Sequence, residues 1–333
     1  MSPNGRPRLG LLLGDPSGIG PELCARLLAG GSLAGREDVL VIGRPDIWRD
    51  RVPIAGAGLD LPVAQGPDRN GEALAIWDAV PGNEEFPRAQ ANPLSGEYVL
   101  KTLDVGAAAL SAGHIDALVF APLNKQAMKM AGLQHEDELR FFQARFGVTA
   151  PVSEFNLAAG LWTGRVTSHV ALRQVADLIT PEAIHNAVRL LNSAMRQAGV
   201  EQPRIAVAAL NPHAGEGGKM GTEEAEILSP AVAALAGEGV LISGPHPADT
   251  VFLRASRGEF DAVVSMYHDQ GQIATKLLGF DRGVTYLGGL PYVTPTPAHG
   301  TAFDIAGRGV ANPGAIEQAC HVAIEAARRA GAG

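Results

Sequence analysis

A chain of 333 residues with 46% hydrophobic and 19% charged residues has the composition of an ordered globular protein, which excludes a disordered or low-complexity one. Its length allows two α/β lobes or one large domain. Lys and Arg total 27 against 35 Asp and Glu, a net charge of -8 with no basic tract, so a nucleic-acid partner has no electrostatic support. An anionic small substrate stays open, because local arginines and helix ends set the field of a pocket. Cys24 and Cys320 are too few for a disulfide framework and read as reduced thiols. The opening apolar run is broken by Gly14 and Asp15, and no 18-residue apolar segment follows. No secretory leader, membrane partner or spanning helix is expected, and a cytoplasmic placement fits best.

In chain order, LGLLLG (9–14) predicts a buried strand, followed by a turn and a helix from about Pro21. VLVIG (39–43) predicts a second strand, and residues 51–95, rich in Pro, Gly and Asn, predict loops and short edge elements. Helical spacing from Glu97 to Gly113 leads into a strand, IDALVFA, that ends at the polar turn Pro122–Lys125. A helix over Glu138–Phe146 and strands over Ser153–Ala159 and Trp162–Thr167 come next. Pro181 and Gly199 bracket a helix, and RIAVAAL (204–210) is a strand ending at NPHAGEGG. A helix near Glu223–Ala236, the strand VLISG, a helix around Thr250 and the strand DAVVSMY precede a last helix from Pro313 to Ala330, whose Cys320 face packs inward. Strands alternating with helices define the α/β class with largely parallel sheet.

The chemistry-bearing residues fall just after strands, where open α/β sheets place their ligands. His169, His213 and His268 are 44 and 55 residues apart, so they form no local metal motif. Either they share one transition ion, or each is hydrogen-bonded at its own strand end. Asp269 is placed to orient His268 or a substrate. GDPSGIGPE (14–22) lacks GxGxxG spacing, and ligand approach or tight helix packing accounts equally for its glycines. Lys125 and Lys276 suit a carboxylate or an activated hydroxyl, or are solvated charges. His299, Thr301 and Asp304 in HGTAFD suit a cofactor's phosphate or ribose, or a helix cap.

Taken together, GDPSGIGPE, APLNK, SHVALRQVADLIT, ALNPHAGEGG, GPHPADTVF, MYHDQGQIATK and LGGLPYVTPTPAHGTAFDIAG resemble the PdxA family of 4-hydroxythreonine-4-phosphate dehydrogenases along essentially the whole chain. The resemblance implies two α/β/α lobes around a cleft, as in isocitrate and isopropylmalate dehydrogenases, in a homodimer with shared active sites. Lobes of about 1–125 plus 300–333 and 126–299 are expected, the second carrying the histidines and dimer contacts. It also implies NAD or NADP and one divalent metal per site, zinc first, with Mg, Mn, Co and Ni as alternatives. By motif, His169, His213 and His268 become metal ligands drawn from both subunits. Lys276 becomes a substrate-binding and catalytic residue beside Asp269, and His299, Gly300, Thr301 and Asp304 contact the cofactor. The implied reaction oxidises a secondary alcohol and releases a neighbouring carboxylate as carbon dioxide.

The chain departs from the family pattern at the phosphate. Glu138 and Leu139 stand where a His–Thr pair is expected, Thr294 replaces an arginine and Thr285 an asparagine, with His135 and Arg140 nearby. These losses of charge-assisted hydrogen bonds imply a non-phosphorylated hydroxyacid or cis-dihydrodiol carboxylate as substrate. The alternatives are 4-hydroxythreonine-4-phosphate dehydrogenase with a rearranged phosphate site, and a redox-inactive ligand-binding protein on the same scaffold.

Overall fold

RLGLL and DVLVI, apolar without alternation, form the parallel neighbours β1 (Arg8–Leu12) and β2 (Asp38–Ile42), as strands covered on both faces do. The computed structural model describes residues 5–33, 38–68 and 72–331 and, of Phe280, the backbone alone. They fold into two α/β/α units, Met1–Thr149 with Leu290–Gly333, and Ala150–Gly289. Residues 126–149 and 290–299, which the sequence assigns to the second lobe, thus fall in the first unit.

In the first unit the sheet order is β3-β4-β2-β1-β5, all parallel, with β3 (Val63–Ala64), β4 (Leu74–Trp77) and β5 (Ala117–Phe120). The chain places β2, β3 and β4 on one side of β1, β4 entering between β2 and β3, and then returns to add β5 on the other. The carboxyl ends of β1 and β5 therefore form the switch point where such sheets bind ligands. Helix α1 (Gly20–Ala29) follows β1, and α2 (Pro45–Arg51) follows β2. Helix α3 (Pro93–Ser111) starts at Asn92, whose side chain accepts the Ser95 N–H, with Pro93 in the first turn. Helix α4 (Lys125–Met130) belongs here because it lies close against α3: a Cβ on Gly96 would stand 2.0 Å from the Ala127 carbonyl oxygen. Helix α5 (Glu138–Arg145) follows, and α11 (Gly314–Ala330) buries Ala319, Cys320, Ala323 and Ala327, the inward face expected.

In the second unit β6 (Ser153–Ala158) and β7 (Leu161–Arg165) form an antiparallel hairpin. With β8 (Ile205–Ala208), β9 (Ile242–His246), β10 (Ala262–Ser265) and β11 (Val284–Gly288), the order within Ala150–Gly289 is β11-β6-β7-β10-β8-β9. Strands β7, β10, β8 and β9 are parallel. Helix α6 (Val175–Leu178) is a single turn, and α7 (Pro181–Gln197) is capped by Thr180 accepting from the Ala183 N–H. The latter buries Ile184, Val188, Leu191 and Met195 along one face, each fully buried aliphatic side chain contributing about 1.5–3 kcal/mol. Helices α8 (Ser229–Gly237), α9 (Ala248–Ser256) and α10 (His268–Gly279) complete the unit.

Two differences from the sequence reading are instructive. The stretch expected to hold only loops and edge elements contains β4, which is flanked by β2 and β3 and buries Ala75 and Ile76. Four apolar residues between glycine- and proline-rich flanks are too short for periodicity to distinguish. No helix is expected between the strand DAVVSMY and Pro313, whereas HDQG opens α10. Among the described residues no helix is long and apolar enough to cross a membrane.

Candidate active site

Each unit gathers part of the chemistry at its strand ends. In the first, Gly14 has φ +72°, and a Cβ there would stand 2.6 Å from the Ala121 carbonyl oxygen, so the turn after β1 requires glycine. The Asp15 N–H donates to the Pro122 carbonyl at 3.0 Å, joining GDPSGIGPE to APLNK. Asp15 is fully buried; burial pushes its carboxyl above the usual range, and hydrogen bonds from Ser17 oppose the shift. Its Oδ1 accepts the Ser17 N–H at 2.8 Å, and Asn92 Nδ2 donates to Ser17 Oγ at 2.9 Å. Its Oδ2 is enclosed without a partner, an orphan acceptor at the switch point.

The HGTAFD segment joins the same turn. The Ile19 N–H donates to the Thr301 carbonyl at 3.1 Å, and Asn124 Nδ2 approaches Thr301 Oγ1 at 3.5 Å. Thr301 is 7% exposed and acts as the anchor, while Gly300 and Asp304 are exposed and His299 is half-buried. A Cβ on Gly300 would meet nothing within 4 Å. Gly300 and Asp304 thus leave an open, exposed edge, whereas Asp15 is enclosed beneath the turn.

The second unit positions the histidines by register. Strands β7 and β10 are parallel neighbours with Ser265 opposite Arg165, so the segments after them leave the sheet together. Thr167 donates from N and Oγ1 to the Met266 carbonyl, at 3.1 and 2.8 Å. That pairing sets the His169 and His268 rings 5.6 Å apart, beside a cavity of about 300 Å³ that Val170, Leu172, Tyr267 and Asp269 also line. His268 Nδ1 lies 2.7 Å from Asp269 Oδ1, which orients the ring and leaves Nε2 for a ligand.

His213 follows β8, the next strand beyond β10, but the chain there turns left-handed. Residues 213–218 all have positive φ, from 43° to 90°. A non-glycine residue held in that region costs about 1–2 kcal/mol, so surrounding bonds must impose the conformation on His213, Ala214 and Glu216. Glu224 does so from its buried position. Its carboxylate accepts from Asn211 N at 2.7 Å and Asn211 Nδ2 at 2.9 Å, and it would crowd any Cβ on Gly215. His213 itself is exposed. Among the described residues no group of three His, Cys, Asp or Glu side chains lies close enough to hold a metal ion. One chain therefore brings two of the three expected histidines together.

Lys276 is exposed on α10, and Thr285 is half-buried on β11, opposite Asn156. In the first unit Glu138 stands 3.9 Å from Lys125. Leu139 and Thr294 are 3% and 0% exposed, so their identities answer first to packing. The clamp of Asn211 and Glu224, and the buried group of Asp15, Ser17 and Asn92, escaped sequence reasoning, since nothing in their spacing marks them as partners.

The sequence profile of the family described as pyridoxal phosphate biosynthetic protein PdxA matches residues 36–323. A Pseudomonas aeruginosa protein provisionally named 4-hydroxythreonine-4-phosphate dehydrogenase 2 is 46% identical over 332 residues, covering 97% of each chain. A Bradyrhizobium diazoefficiens protein provisionally named D-threonate 4-phosphate dehydrogenase is 36% identical, over 98% of this chain and 97% of its own. The crystal structure of 4-hydroxythreonine-4-phosphate dehydrogenase from Klebsiella pneumoniae superposes with a TM-score of 0.84 at 32% identity, over 97% of this chain and 98% of its own. A terephthalate 1,2-cis-dihydrodiol dehydrogenase structure from Burkholderia xenovorans matches less closely, with a TM-score of 0.66 at 25% identity over 93% and 95% of the two chains.

These likenesses define an NAD(P)-dependent dehydrogenase that acts on a secondary alcohol with decarboxylation. The chain belongs to the PdxA family. The expectation of a non-phosphorylated hydroxyacid or dihydrodiol substrate is overturned, because relatives matching nearly the whole chain are named for phosphorylated substrates. Its argument also fails physically. Leu139 and Thr294 are enclosed, and Glu138 faces Lys125, so their identities do not report the loss of a phosphate site.

Proposed function

We propose that this chain oxidises the secondary alcohol of a four-carbon hydroxyacid phosphorylated at its far end, with 4-hydroxythreonine 4-phosphate as the first candidate. The observation that carries this reading is the similarity along 97% of the chain to the Pseudomonas aeruginosa relative. D-threonate 4-phosphate differs at the carbon beside the carboxylate, bearing a hydroxyl in place of the amine, and is the second candidate, suggested by the name of the Bradyrhizobium relative.

NAD(P), held along 299–304, would supply the acceptor for the hydride of the alcohol carbon. A divalent cation, zinc foremost, would supply Lewis-acid stabilisation of negative charge on the substrate oxygen. His169 and His268 have the chemistry and proximity of two of its ligands, and Asp269 holds the His268 ring. His213 is the third ligand, and a second copy of the chain brings it to the site. The apolar side chains of Leu172, Ile273 and Leu277, exposed to 71%, 61% and 83%, support such a neighbour. The ammonium of Lys276 binds the reacting end of the substrate, and its alignment lowers the entropic part of the barrier. Lys125, His135 and Arg140 provide the donors for the phosphate in the stretch where the family pattern is altered. His299, Gly300 and Asp304 contact the cofactor, with Thr301 as their anchor.

The test follows nicotinamide reduction by the metal-supplemented protein with 4-phosphohydroxy-L-threonine and D-threonate 4-phosphate in parallel. Efficient turnover of either, with release of carbon dioxide, is expected. Failure of both phosphorylated acids with NAD and with NADP would sink the proposal.

A further inference from the structure

Glu22 and Arg26 stand four residues apart on α1, and both turn away from solvent toward one distant backbone segment. An acidic residue in a first helical turn ordinarily lies exposed and complements the helix dipole. Glu22 instead is 0% exposed. Its two carboxylate oxygens accept the N–H groups of Gly307 and Gly309, the second at 3.2 Å. Arg26 Nη1 donates to the Gly309 carbonyl at 2.6 Å. Two side chains thus hold three polar backbone atoms about 285 residues away in sequence.

The backbone is shaped to meet them. Gly307 and Gly309 have φ of +82° and +64°, and a Cβ on Gly309 would stand 2.1 Å from the Ile54 carbonyl oxygen. At its other end the segment is fixed by the Ile19–Thr301 hydrogen bond and by Gly18, where a Cβ would stand 2.8 Å from that of Thr301. Residues 301–309 are therefore stapled to the start of α1 at two points. Gly300 and Asp304, near the first staple, are left exposed.

We propose that Glu22, assisted by Arg26, is a positioning residue that presets the cofactor-contacting edge of 299–304 without touching the cofactor. This rests on the proposed role of 299–304 as cofactor contacts. A buried carboxylate is retained only where its partners are well placed; here its hydrogen-bond partners are backbone amides of that single segment, with the charge of the buried Arg51 nearby. Holding them in the free protein removes an ordering cost that dinucleotide binding would otherwise bear.

The test is equilibrium binding of NADH and NADPH by the metal-supplemented protein, with hydrogen exchange of residues 299–309. Glu22→Gln keeps the volume but sets an amide NH₂ against one of the two N–H donors. The dissociation constant is expected to rise about tenfold, with faster exchange confined to the segment and an unchanged circular dichroism spectrum. Arg26→Met is expected to raise it about two- to threefold. Unchanged affinity in Glu22→Gln, with or without faster exchange, overturns the inference. If that variant does not fold, unchanged affinity in Arg26→Met overturns it. His299→Ala and Asp304→Ala separate the two layers. If neither alters dinucleotide affinity, the cofactor role of 299–304 fails and the inference with it; if they weaken binding while Glu22→Gln does not, only the positioning role fails.

Discussion

The two units solve the same problem, placing polar groups at the ends of parallel strands, in opposite ways. The first draws three distant segments into a buried cluster in which Ser17 links Asp15 to Asn92 and the Thr301 carbonyl accepts from Ile19. The edge proposed to contact the cofactor, 299–304, is tied to this cluster through Thr301. The second leaves its histidines at the surface. His169 and His268 are brought together by strand register, whereas His213 stands on a left-handed turn apart from them, and apolar side chains lie exposed nearby. A preassembled edge suits a cofactor common to many enzymes. A half-built one suits a centre completed by a partner.

That contrast can be broken or sharpened by substitution. The largest effect is expected from His213→Ala, which should lower metal content and turnover together by about a hundredfold or more while dinucleotide binding persists. Elemental analysis beside kinetics decides it, and full metal occupancy with normal turnover would remove His213 from the ligand set.

A smaller effect tests the independent stability of the first unit. Arg8 and Asp116 are paired at 2.8 Å where β1 and β5 begin, at the opposite ends of these strands from the candidate cofactor edge. Burial alone would raise the Asp116 carboxyl, but the hydrogen bonds and charge of Arg8 prevail and bring it down to about 2 from an ordinary 3.8. A depressed value in the folded protein contributes stability that is complete above 3.8 and disappears as pH falls through about 2. Asp116→Asn should therefore cost about 1 kcal/mol near neutrality, since solvent screens a half-buried pair, and the gap from the unsubstituted chain should close over that acid window. Denaturant unfolding at several pH values measures it; a gap independent of pH would assign the loss to packing instead.

The smallest effect is expected from Leu277→Glu on the exposed face of α10, which should weaken self-association about tenfold and leave the first unit's NADH binding intact. Sedimentation at several concentrations reads this directly. Unchanged association would place the partner on another face.

Much of this molecule was legible before folding. Continuous apolar runs marked β1, β2 and β8, and Pro181 and Gly199 bracketed α7 within two residues, because strand burial and helix caps are local requirements. The order of the long motifs was enough to reach the family and the dehydrogenase class. The substrate was not legible from Leu139 and Thr294, because a side chain's type does not say whether it faces a ligand or the core, and both are enclosed. Nor did the glycines of PHAGEGG declare a left-handed run: glycine permits either hand, and the clamp that selects one comes from Asn211 and Glu224. The sequence by itself determined the elements and the chemistry available to them, since these depend on neighbours a few residues away. Only the tertiary structure decided which groups meet, pairing His169 with His268 and Glu22 with Gly307 and Gly309, because register and close approach depend on segments far apart in the chain.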